Sequence, residues 1–110
     1  HDPFVDMSKI KVVAGDQGAT CDMTCATKEN SVCVPEAITR INNCETLQAH
    51  FKCEGGCLSV SFGEDQPAYV VPTAMRQYQP GACLVNQRPD MMTCGGVHER
   101  TRRLCPCQKK

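Results

Sequence analysis

The chain has 110 residues, 12 basic and 12 acidic side chains for a formal net charge of zero, and 10 cysteines. This length holds one domain. The charge balance argues against the cationic surface of a nucleic-acid binder, and no apolar run approaches the roughly 18 residues that span a bilayer. An even cysteine count at this density marks a disulfide scaffold in an oxidising compartment. Opening at His1 without an apolar leader, the chain reads as a mature secreted, extracellular protein or a fragment of one.

The first cysteine is Cys21, so residues 1–18 read as an extended arm and residues 19–110 as a cysteine-rich module. Within the arm, residues 9–14 alternate as a short strand, with Ile10, Val12 and Ala14 on one face and Lys9 and Lys11 on the other. Gly15 to Gly18 reads as a hinge. Cys21 and Cys25 then share a helix face, with Thr20 as N-cap and Asn30 as the stop. Pro35 and Glu36 suit the first turn of a second helix carrying Val34, Ile38 and Ile41, and residues 45–51 suit a third.

In the second half, Leu58, Val60 and Phe62 alternate with serines as a half-exposed strand. Residues 69–71 and 83–85 give two more strands. Cys94-Gly95-Gly96 and Cys105-Pro106-Cys107 read as tight loops pinned by bridges. The expected fold is a small disulfide-rich α+β domain, with two or three short helices first and short antiparallel strands after. Five disulfides among Cys21, Cys25, Cys33, Cys44, Cys53, Cys57, Cys83, Cys94, Cys105 and Cys107 hold it together. Their pairing stays open, since ten cysteines allow on the order of a thousand connectivities.

The cysteine spacing also carries a resemblance. C-x3-C-x7-C runs through Cys21, Cys25 and Cys33, and C-x10-C-x10-C-P-C through Cys83, Cys94, Cys105 and Cys107. With the segments from Cys94 to His98 and from Arg102 to Cys107, this is similar to the disulfide-rich domain at the C-terminus of the N-acetylglucosaminyltransferase V family. The similarity spans Cys21 to Cys107. It implies a module of secretory origin, without the large catalytic region that performs sugar-nucleotide chemistry in that family.

Reactive chemistry is sparse in the sequence. Cys-x3-Cys and Cys-Pro-Cys lack the Cys-x2-Cys pairs usual at zinc sites, so no metal or cofactor is expected. His1, His50 and His98 stand in no motif with a catalytic mechanism, and no enzyme activity is expected. Glu54, Glu64 and Asp65 lack the register of a calcium loop and read as solvated turn residues. Tyr69 and Tyr78 are candidates for stacking on sugar rings, and Arg102 and Arg103 for contacting acidic glycans.

The isolated arm gives the leading functional expectation. Its six-residue strand is unstable alone in water. Docked on the next copy through Phe4, Ile10, Val12 and Ala14, it would make head-to-tail assemblies of a non-enzymatic structural or adhesive protein, a filament where no ring closes. The alternative is a secreted module that binds glycans or glycoproteins.

Overall fold

The computed structural model describes residues 5–110; Phe4, named above for self-association, lies outside them. A six-stranded sheet runs through the molecule. Its strands are β1 (Lys11–Gln17), β2 (Ser31–Cys33), β3 (Cys57–Val60), β4 (Ala68–Val70), β5 (Cys83–Asn86) and β6 (Thr101–Lys109). They are arranged β1-β6-β4-β5-β3, with β2 also paired to β6. Three helices accompany them: α1 (Cys21–Glu29), α2 (Ile38–Ile41) and α3 (Cys44–His50).

The helices begin and end where local chemistry places them. The Thr20 side chain accepts the Met23 N–H to open α1, and Asn30 closes it in the left-handed region at φ 49°. Asn43 accepts the Thr46 N–H to open α3. Pro35 starts a 3-10 turn that leads into α2.

The sequence reading ends the arm strand at Ala14 and frees a hinge after it. Instead β1 continues to Gln17 through a bulge, antiparallel to β6 of its own chain. Gly15 is buried, and a Cβ there would lie 2.7 Å from Thr24 Oγ1 on α1. The glycine is thus a close approach of helix to strand, not a hinge. Val12 and Ala14 pack on one core cluster and Val13 on another, so both faces of β1 are used.

Cys105-Pro106-Cys107, expected as a loop, lies inside β6, the strand to which β1, β2 and β4 all pair. Proline is tolerated there because β2 ends opposite it. The Pro106 carbonyl accepts from Val34 N–H, while the Val34 carbonyl that would have faced an N–H at 106 already accepts from Ala37. One pairing also departs from the antiparallel expectation: β3 runs parallel to β5.

The bridges are Cys21–Cys105, Cys25–Cys107, Cys33–Cys94, Cys44–Cys57 and Cys53–Cys83. The first two join residues four apart on α1 to residues two apart on β6. Four helical residues rise about 6 Å and two strand residues about 6.6 Å. The two spacings match, and α1 lies along β6 with every sulfur in register.

Removing either bridge leaves its neighbour closing nearly the same loop. Each single double-alanine variant (Cys21→Ala with Cys105→Ala, or Cys25→Ala with Cys107→Ala) should lose less than half the stability lost when both bridges go. With the Cys33–Cys94 bridge still in place the loop they close holds about 25 residues, so removing both costs about 3.5 kcal/mol in loop entropy. Urea unfolding of the three variants checks this.

Candidate functional site

The two ends of one sheet face are treated differently. α1 covers the part formed by β1, β6 and β2, packing Cys21 and Cys25 against Cys105 and Cys107, with Ile38 of α2 in the same cluster. Over β4, β5 and β3 the same face carries a cleft of about 590 Å³, within the usual range of ligand sites. Leu58, Val60, Val70 and Leu84 line its apolar base, following from the alternation of their strands. Phe62, Gln77, Tyr78, Gln79, His98 and Arg100 form the polar and aromatic rim.

The rim is built by local turns. Residues Arg76–Tyr78 form a 3-10 turn that Gln79 closes in the left-handed region at φ 62°. The Arg100 guanidinium lies 5.7 Å from the Tyr78 ring centroid, a cation–π arrangement. The His98 ring is tilted against the same tyrosine at 5.6 Å. Arg100 N–H donates to His98 Nδ1 at 3.0 Å, an arrangement that places the ring's hydrogen on Nε2. Phe62 is 72% exposed at the mouth.

A buried polar network holds the loop beneath the rim. Asp65 accepts from the Thr101 hydroxyl at 2.8 Å and from Gln66 Nε2 at 3.1 Å. Gln66 Oε1 accepts from Asn86 Nδ2, whose backbone N–H is in turn bound by Asn42. Asp65 is therefore no solvated turn residue, as the sequence reading has it; it is 6% exposed and fully engaged. Gly96 crosses the Glu64 carbonyl so closely that any side chain at 96 would collide with it.

Of the four residues expected to contact glycan, Tyr78 alone lines the cleft. Tyr69 belongs to the core: it stacks on Phe51 at 5.0 Å and its hydroxyl donates to the Glu54 carboxylate. Burial, and then that bond, push its phenol pKa up. Glu54 moves the opposite way, held down by its own backbone N–H and by the Tyr69 hydroxyl. Arg102 donates from Nε to the Gly15 carbonyl and covers the Phe51 ring.

Arg103 is fully buried and donates from Nη1 to the Thr93 and Gly96 carbonyls. Burial lowers its pKa to about 10, against the opposing pull of Asp65, Asp22 and Glu64, so it stays charged at neutral pH. Tyr69 and Arg103 are corrected as surface contacts because sequence alone does not show which polar residues point inward, whereas Arg102 lies at the surface outside the cleft. His98, Arg100 and the glutamines emerge only from the folded loops.

The arm segment is paired within its own chain. Val12 and Ala14, partly buried, pack against the core and Ile10 follows a 3-10 turn, so this segment is docked on its own domain. The exposed edge of β1 is guarded by charge. Lys28 reaches the Ala14 carbonyl at 3.2 Å, and Lys11 pairs with Glu29. Asp22 lies with Cys33 and Cys94 within 4.8 Å, but both sulfurs are committed to one disulfide. No helix of the described residues is long and apolar enough to cross a membrane.

The profile of glycosyltransferase family 18 matches residues 2–107. The chain belongs to glycosyltransferase family 18. No curated protein gives a significant match. The family match corrects two expectations. It begins at residue 2, so the resemblance is not confined to a module starting at Cys21. It also places the chain in a family of enzymes, against the expectation that it has no enzyme activity. The disulfides and this membership fit a secretory or lumenal compartment.

Arg103 sets the shape of the rim from beneath. Arg103→Ala strands the Thr93 and Gly96 carbonyls and should cost about 3 kcal/mol, and Arg103→Lys should not restore it, lacking the planar fork. Arg102→Ala, at the surface, should cost less than about 1 kcal/mol. Denaturant titration of the three variants separates them.

Proposed function

We propose that this chain serves glycosyl transfer onto glycoproteins in the lumen of the secretory pathway, and that its cleft engages the glycan of the acceptor. The observation that carries the reading is the rim. A guanidinium and an imidazole converge on the Tyr78 ring, flanked by two glutamines, above an apolar base. Sugar rings present apolar C–H faces and hydroxyl edges, and this pairing of aromatic surface with polar donors suits both. His98 Nε2–H and the Gln77 and Gln79 amides supply donors and acceptors at the rim. Family membership supports the reaction class.

The test is titration of the native protein with released N-linked and O-linked glycans, followed by NMR shifts. The expected result is shifts confined to Phe62, Tyr78, His98 and Arg100, with binding at least about tenfold weaker in Tyr78→Ala, a loss near 1.4 kcal/mol. Tyr69→Phe, which lies outside the cleft, should bind as the native protein does. No shift with any glycan, or shifts elsewhere on the surface, refutes the assignment of this cleft.

A further inference from the structure

The two edges of the sheet are protected unequally. The β1 edge carries Lys11 and the Lys28 ammonium, which meets one of its carbonyls. The β3 edge carries no charge: Cys57, Leu58, Ser59, Val60 and Ser61 follow one another, with Ser59 and Ser61 exposed. Cys83 N–H donates to the Gly56 carbonyl and Gln87 N–H to the Val60 carbonyl, so the even-numbered residues of this stretch face β5. By the alternation of a strand, the backbone groups of Cys57, Ser59 and Ser61 face outward. Among the described residues they have no backbone partner. Natural sheets blunt such edges with lysine, proline or cover, and among the described residues this one has none of them.

We infer that the β3 edge pairs antiparallel with the β3 edge of a second copy of this chain, making one continuous sheet. The edge is complementary to itself. With Ser59 opposite Ser59 on a two-fold axis, Cys57 of each copy faces Ser61 of the other, and the outward N–H and C=O groups of all three residues meet their mates. Leu58 then sits across from Val60 on the cleft face, so the apolar base continues from one copy into the next. No like charges oppose each other along these five residues, and a chain of zero net charge does not repel its copy. Pairing through β1 would instead bring lysines together. The axis stands perpendicular to the sheet, so both clefts open on the same side.

Sedimentation of the native chain over a concentration series tests this. The expected result is a reversible species of twice the 12.1 kDa chain mass. Ser59→Pro removes an outward N–H that serves no internal bond, and Ser59→Lys places a charge at the axis; each should weaken association at least tenfold. Lys11→Ser on the opposite edge should leave it unchanged. Slowed amide exchange at Ser59 and Ser61 with rising concentration is the matching signature, and it does not depend on any variant folding. A chain that stays monomeric to about 1 mM, or a dimer that ignores both Ser59 substitutions, overturns the inference. Glycan titration of Ser59→Lys keeps the two proposals separate, because the cleft of a monomer retains its rim.

Discussion

The fold depends on the pair of disulfides that lay α1 along β6. Cys21 and Cys25 present two sulfurs on one helix face, and Cys105 and Cys107 present two on one strand face, at nearly equal spacing. With few large aromatic side chains in the sequence, such cross-links supply order that a small interior provides weakly. β6 is thereby fixed as the strand to which three others pair. Strands β1, β2 and β4 take their positions from it.

The same restraint makes the cleft. α1 ends its coverage of the sheet where β4 begins, and the remaining area of that face has only turns around it. Those turns are held by polar contacts reaching inward: Arg103 to the 93–96 stretch, Asp65 to Thr101, and Asn86 to Gly63 and Gln66. An apolar base ringed by hydrogen-bonded loops is shaped in advance, so a ligand need not order it on arrival.

Much of the local structure is legible in the amino acids. Thr20, Asn30 and Asn43 act as caps in a way their side chains announce, and the alternation at Leu58 and Val60 shows a strand. Pro106 misleads because proline is a strand breaker only where a neighbour needs its N–H; here the neighbouring strand has already ended. Gly15 misleads because freedom of rotation and lack of bulk are the same property in the sequence, and here bulk is what matters. The site is the least legible part. Tyr69 and Tyr78 are the same residue type in similar turn-flanked settings, yet one is walled in by Phe51 and the other stands at the rim. That difference is made by contacts between residues far apart in the chain, which no local pattern encodes.

The Cys33–Cys94 bridge begins the stretch that carries Gly96 and His98, and Cys33 is only partly buried. Reducing agents that reach it would release one side of the rim while the α1–β6 pair still held the sheet. The cleft is thus more fragile toward thiols than the fold is. A copy stranded in a glutathione-rich cytosol would keep its outline and lose the shape of that cleft.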